Sequence, residues 1–133
     1  MLYVQTEPMI FDTDVIIWML RGHKKAADTI EKETERFIAI QTQLELFKGV
    51  TSKSELRLIK DIIRDLNFTV LPLTENIGYR TMIYMEEFYL SNGIDIGDAY
   101  IAATAMEYNK PLITSNIKHY KVIPNLQLVT FKP

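Results

Sequence analysis

Four carboxylates stand where an apolar segment has just ended or where a buried helix begins. Asp12 and Asp14 follow Met9-Ile10-Phe11, Glu45 lies among Leu44, Leu46 and Phe47, and Asp98 precedes Ala99-Tyr100-Ile101-Ala102-Ala103. Such neighbours make Glu45 and Asp98 hard to solvate, and an ionised carboxylate out of water needs a compensating charge. No lysine or arginine adjoins Asp12, Glu45 or Asp98; Lys48, one turn beyond Glu45, is the nearest. A hard divalent cation, Mg²⁺ or Mn²⁺, held by oxygen ligands is the matching counter-charge. Taken singly, each acid also has a plainer use. Asp12 and Asp98 suit helix N-caps, and Glu45 suits a solvated helix face. Asp14 suits a first-turn acid that complements the helix dipole or aids a metal through water.

The rest of the composition narrows the chemistry. Cysteine is absent, which excludes disulfide scaffolds, zinc ribbons and cysteine nucleophiles. Two histidines, His23 and His119, leave little room for a histidine-rich metal site. The net charge is −2, with 15 basic and 17 acidic residues, so a polyanion site has to be local or built on bound cations. At 133 residues, 47% hydrophobic and 24% charged, the chain reads as a single globular domain over 1–133, with residues 1–7 as an N-terminal extension. Its longest apolar run, Val15 to Leu20, is far short of the roughly 20 residues that span a bilayer. No basic n-region precedes it. A cytoplasmic protein without membrane contact is expected.

The elements that must position the acids follow from periodicity and punctuation. Short apolar strands are predicted at 9–11, 37–40, 68–71, 111–114 and 126–129. Helices are predicted at 14–20, 24–32, 42–47 with Thr42 as N-cap, 54–66, from Thr74 to about Leu90, and 98–108. Residues 93–97 read as a loop, as does the polar stretch after Thr114. Strands that alternate with helices, each short and continuously apolar, imply an α/β fold with a mostly parallel sheet covered on both faces. Working sites in such folds lie beyond the carboxyl ends of the strands. Asp12, Asp14 and Thr114-Ser115-Asn116 stand there, and Glu45 lies one turn further on.

Four segments then carry a resemblance that spans about residues 8 to 131. Met9-Ile10-Phe11-Asp12-Thr13-Asp14-Val15-Ile16-Ile17 resembles the opening of PIN-domain nucleases, and Thr42-Gln43-Leu44-Glu45-Leu46-Phe47-Lys48-Gly49 is similar to their second motif. Gly97-Asp98-Ala99-Tyr100-Ile101-Ala102-Ala103-Thr104-Ala105 resembles the third, D-x-x-I-A-A-x-A. Leu112-Ile113-Thr114-Ser115-Asn116 with His119-Tyr120 resembles the closing L-V-T-x-N/D-x-x-D/H-F. The four occur in the family's order and are most similar to its VapC toxin branch.

The resemblance implies a three-layer α/β/α domain and a metal-dependent endoribonuclease, the toxin of a type II toxin–antitoxin pair. It implies Asp12, Glu45 and Asp98 as the metal-binding acids. The fourth acidic position falls on Asn116, which offers a carbonyl oxygen but no charge. Asp95 either adds charge to the set or caps the following helix. Thr114 matches a hydroxyl residue that orients Asp12 or a water, or else satisfies backbone at the strand end. The implied chemistry is attack of a metal-activated water on an RNA phosphodiester, with Glu45 completing the metal shell or accepting the proton. A homodimer is implied, together with a VapB-type antitoxin that blocks the acids with an arginine or lysine and through which alone operator DNA is bound.

RNA contacts are expected from Arg21, Lys24, Lys25, Lys118 and Lys121 on loops near the active edge. The stripe Lys53, Arg57, Lys60 and Arg64 reads first as a solvated face paired with Glu55, Asp61 and Asp65. Met82, Tyr84, Met85, Phe88 and Tyr89, with Trp18 and Leu20, form either core or a partner surface. Three rival readings are a receiver-like module, an α/β interaction domain without activity, and a metal-free ribonuclease using His23 and His119. A receiver needs a lysine at the end of a later strand, where this chain has Thr114-Ser115-Asn116.

Overall fold

A computed structural model describes residues 7–133. Of the expected N-terminal extension, residues 1–6 therefore lie outside the described residues.

Five strands, β1 (Met9–Phe11), β2 (Arg36–Ala39), β3 (Phe68–Leu71), β4 (Leu112–Thr114) and β5 (Leu128–Thr130), form one sheet in the order β3-β2-β1-β4-β5. Every pairing is parallel, so the expected mostly parallel sheet is wholly so. Among the described residues, seven helices connect and cover it: α1 (Thr13–Leu20), α2 (Lys24–Glu31), α3 (Ile40–Lys48), α4 (Lys53–Asp65), α5 (Glu75–Asn92), α6 (Ile96–Glu107) and α7 (Ile117–Tyr120).

β1 and the inner positions of β2 and β4 are buried residue after residue because both faces of the sheet centre are covered, yet their side chains still alternate between two cores. Ile10, Ala39, Leu71 and Leu112 point to the layer of α5, α6 and α7, where they meet Ile77, Tyr84, Ala99, Ala102 and Tyr120. Met9, Phe11, Ile38 and Ile113 point to the other layer and meet Val15 and Ile16 of α1, Ala26 and Ile30 of α2, Leu46 of α3 and Ile63 of α4. In-register pairs such as Ile10 with Leu112 keep each set together. This is the expected α/β/α arrangement.

Helix starts follow side-chain caps. Asp12 caps α1, Ser52 caps α4 and Thr74 caps α5, each accepting a backbone N–H. His23, expected only in a linker, caps α2 by accepting from the Ala26 N–H through Nδ1. Gly93 ends α5 at φ 67°, a left-handed closure.

Four expectations need correction. Thr42 is not an N-cap: α3 starts at Ile40 behind Ala39, and Thr42 sits inside the helix, fully buried, with its hydroxyl 2.9 Å from Thr13 Oγ1. That tertiary partner explains a hydroxyl at a helix interior position. Residues 93–97 are not wholly loop, because Asp95 caps α6 one turn earlier than expected, placing Asp98 in its first turn. The polar stretch after Thr114 contains α7. The last strand begins two residues later than predicted and ends one later, pairing Thr130 with Thr114.

The Met/aromatic positions of α5 divide between the two readings. Tyr84 is buried and Met85 and Phe88 pack on the core, whereas Met82 and Tyr89 are exposed beside Ile83 and Leu90. No described helix is long and apolar enough to cross a membrane.

Candidate active site

Parallel strands put all their carboxyl ends at one edge, and α1, α6 and α7 all present residues there. Asp12 ends β1 and is only 3% exposed. Its Oδ1 accepts from the Thr13 N–H at 2.8 Å and from the Tyr120 hydroxyl at 3.1 Å. Its Oδ2 accepts from Thr114 Oγ1 at 2.7 Å, across from the end of β4. Asp98, in the first turn of α6, meets the same Tyr120 hydroxyl at 3.1 Å through Oδ1 and His119 Nδ1 at 2.9 Å through Oδ2. Tyr120 thus stands between two carboxylates with a single hydrogen to donate.

Glu45, on α3, is tied to the same place through Thr13. The Thr13 hydroxyl donates to Glu45 Oε1 at 3.0 Å, while the Thr13 N–H donates to the Asp12 cap. Gly97 makes the opposite approach possible. A Cβ there would lie 3.2 Å from Asp95 Oδ2, 3.3 Å from Gln41 Nε2 and 3.4 Å from Glu45 Oε2, so any side chain would push these groups apart. Glu45, Gln41, Asp95, Lys48, Leu44 and Ile96 border an open cavity of ≈ 510 Å³. Asp14 approaches the same threonine as Asp12 does, its Oδ2 lying 3.5 Å from Thr114 Oγ1. Its Oδ2 accepts from the backbone N–H of Ser115 at 2.9 Å and from the Ser115 hydroxyl, which pins the turn after β4 to α1. Its Oδ1 is buried without a hydrogen-bond partner among the described residues.

The electrostatics match this crowding. Burial first, then the Asp14 charge, push the Asp12 carboxyl up to about 7, against the bond from Thr114. Burial raises Glu45, and the charges of Asp98 and Asp95 add to it. Burial likewise raises Asp98, while His119 opposes the shift by hydrogen bond and charge. The Tyr120 hydroxyl is also raised, by burial and by the two carboxylates it touches.

The donor set suits a hard cation. It is all oxygen, and among the described residues no lysine or arginine forms an ion pair with Asp12, Glu45 or Asp98. A carboxylate oxygen can accept about two bonds. Asp12 Oδ2, both oxygens of Asp98 and Glu45 Oε1 each accept at most one here, so each retains a lone pair. Three acidic or imidazole side chains do not close into a ligand cage among the described residues. The Tyr120 hydroxyl lies where Asp12 and Asp98 would otherwise meet.

The other expected site residues are placed as follows. Thr114 is fully buried and serves both readings of it, donating to Asp12 and accepting from the Asn116 N–H at 3.0 Å. Asn116 precedes α7 with an exposed side chain that makes no capping bond. Asp95 caps α6 and also borders the cavity. Arg21, Lys24, Lys25, Lys118 and Lys121 are all exposed. Lys118 and Lys121 flank the residues that contact Asp98. Lys25 instead lies over the Phe131 ring and lines a separate groove of ≈ 570 Å³ with Met9 and Pro111. In the α4 stripe Arg64 pairs with Asp61 and Asp65 as the solvated-face reading expects, whereas Glu55 turns back to bond Thr51. Sequence reasoning gave no role to Tyr120, Thr13, Ser115 or Gln41, and cast Thr42 only as a helix cap. Thr13 and Tyr120 lie inside quoted motifs, but a hydroxyl's partner across the fold leaves no local signal.

The chain matches the PIN domain family model over residues 9–123. It is 29% identical over 129 residues to Ribonuclease VapC of Rickettsia bellii, covering 92% of this chain and 95% of that one. It is 32% identical over 123 residues to Ribonuclease VapC10 of Mycobacterium tuberculosis, with 90% of each covered. Its fold resembles VapBC2 from Rickettsia felis, solved on a promoter DNA fragment, with a TM-score of 0.78 at 22% identity over 93% of this chain and 98% of that one. VapBC-1 from nontypeable Haemophilus influenzae gives 0.77 at 24% identity, over 92% and 96%. With the acidic strand edge, the four motifs in order and these matches together, the chain belongs to the PIN-domain family and stands with its VapC members.

Proposed function

We propose that this protein is a Mg²⁺- or Mn²⁺-dependent endoribonuclease that acts as the toxin of a type II toxin–antitoxin pair. The observation that carries the reading is the set of acids at the sheet edge, buried enough to have raised pKa values and paired with no lysine or arginine among the described residues. Asp12, Glu45 and Asp98 would hold the cation, with Asp14 and Asp95 adding negative charge beside them. When bound, such a cation supplies Lewis-acid activation of water and offsets the charge that grows on the phosphoryl oxygens.

The chain's own groups do the rest. Thr114 fixes the Asp12 carboxylate through its Oγ1, and Asp14 fixes the turn that carries Thr114 by binding Ser115. Glu45 would complete the metal shell through one oxygen or accept the proton of the attacking water through the other. Asn116 presents a neutral amide oxygen to the same edge. Exposed Lys118 and Lys121 beside the acids contact RNA phosphates. A VapB-type antitoxin silences the protein by placing an arginine or lysine among the acids, and operator DNA is reached only through it. A homodimer uses the exposed Met82, Ile83, Tyr89 and Leu90 of α5.

Two measurements test the proposal together. Induced expression of the wild type should arrest growth and leave discrete RNA cuts, and Asp12→Ala should abolish both. Purified wild type should cleave RNA with Mg²⁺ and stop in EDTA, and Asp98→Asn should be inactive while still folded. Cleavage that survives EDTA or the Asp98→Asn change would overturn the mechanism.

A further inference from the structure

We infer that the Tyr120 hydroxyl is a positioning group that stands in for the cation, bridging Asp12 and Asp98 while the site is metal-free and yielding them when metal binds. The inference rests on the reading that these two acids hold a divalent ion. Tyr120 is fully buried, with its ring in the core against the sheet and α6. Its oxygen lies 3.1 Å from one carboxylate oxygen of each acid and makes no other hydrogen bond among the described residues. A buried carboxylate, Asp12, and a half-buried one, Asp98, face each other across it, and among the described residues no other side chain hydrogen-bonds to both.

One hydroxyl carries one hydrogen, so the bridge satisfies at most one of the two charges at a time. A divalent cation can satisfy both. The hydroxyl is therefore needed most when metal is absent and least when it is present. Removing it destabilises the metal-free state more than the metal-bound state, and by linkage the variant binds metal more tightly. A hydrogen bond to a charged group that is lost from only one of two states corresponds to about a tenfold change in affinity.

Tyr120→Phe keeps the ring and deletes only the hydroxyl. Calorimetric titration of the full chain with MnCl₂, at fixed pH, should give a Kd about tenfold tighter for Tyr120→Phe than for wild type. The variant's melting temperature should fall in EDTA, and the gap from wild type should narrow at saturating Mn²⁺. A role in packing alone predicts equal melting losses in both conditions and an unchanged Kd, which overturns the inference. Weaker binding overturns it too, because the hydroxyl would then be preorganising the acids for metal. An Asp12→Asn background provides a second test, since the EDTA melting loss caused by Tyr120→Phe should shrink there if the bridge is its source. Wild type that binds no Mn²⁺ would instead sink the metal reading itself. An unchanged Kd in a wild type that does bind leaves that reading standing.

Discussion

The acidic edge has two halves that differ in how they are held. Asp12, Asp98, Thr114 and Tyr120 form the inner half. Asp12 ends a central strand, and its carboxylate oxygens together meet a backbone amide, a threonine and a tyrosine, all at 3.1 Å or less. Glu45, Asp95 and Gln41 form the outer half, packed around Gly97 at the border of an open cavity. Glu45 accepts one side-chain bond there, from Thr13. The inner half is continuous with the hydrophobic core, so its charge is expensive and its geometry fixed. The outer half rides on helix surfaces, so its charge is cheaper to keep and its side chains can adjust to a substrate. A rigid inner pair that fixes a metal and an adjustable outer acid that handles a proton is the division of labour this contrast suggests.

The largest test of the contrast is Asp12→Asn. RNA cleavage should fall about 10³-fold or more, as expected when a group essential to the chemical step is lost. The metal-free protein should nevertheless melt several degrees higher, because a buried charge beside Asp14 and Asp98 is removed. Glu45→Gln should cost about 10²-fold in cleavage, the range of a single general base. Its melting temperature should barely move, because Glu45 is only half-buried. Equal stability changes in the two variants, from matched thermal melts in EDTA, would erase the distinction between the halves.

A smaller effect follows from pH. The Asp12 carboxyl rises from 3.8 to about 7 in the folded chain, and Asp98 and Glu45 rise as well. Between these limits the folded state holds a proton that the unfolded state has released. Stability in EDTA should therefore be greatest near pH 4 and fall as pH rises to about 7, by a few kcal/mol in all. Saturating Mg²⁺ should flatten that fall, because it stabilises the ionised acids. Urea melts across this range, with and without Mg²⁺, measure both slopes. Asp12→Asn should remove most of the EDTA slope and Glu45→Gln little of it, which separates the two halves a second way.

Much of this was legible in the residues themselves. The apolar strands and the capping residues Asp12 and Thr74 announce the sheet and two of the helix starts, because strand burial and N-caps are local matters. Asp12, Glu45 and Asp98 stood out because charged groups in apolar company need an explanation. The misreadings share another cause. Thr42 looks like a cap in sequence and is a buried partner of Thr13 in space. Asp14 is the first-turn acid of α1 that it reads as, but its bond to Ser115, about a hundred residues away, leaves no trace in the sequence. Tyr120, quoted only as part of a motif, gains its role when Asp12 and Asp98 arrive from distant segments to meet its hydroxyl. Hydroxyl pairings across the fold are set by topology, and no periodicity records them.

The smallest expected effect concerns which half the RNA crosses. Lys118 and Lys121 lie in and just after α7, beside the inner half, whereas Lys48 borders the cavity of the outer half. Lys48 already spends part of its charge on Glu45, whose carboxyl it draws down. Single-strand binding should therefore depend more on the α7 pair. For a single strand, each phosphate that is no longer neutralised lowers the salt slope of binding by about 0.7. Lys118→Ala with Lys121→Ala should lower it by about 1.4 and weaken binding several-fold at low salt, measured by fluorescence anisotropy with a short RNA in EDTA to prevent cleavage. Lys48→Ala should change the slope by less than half as much. The reverse ranking would move the strand to the outer half, and Gln41 and Leu44 would then be the side chains nearest its bases.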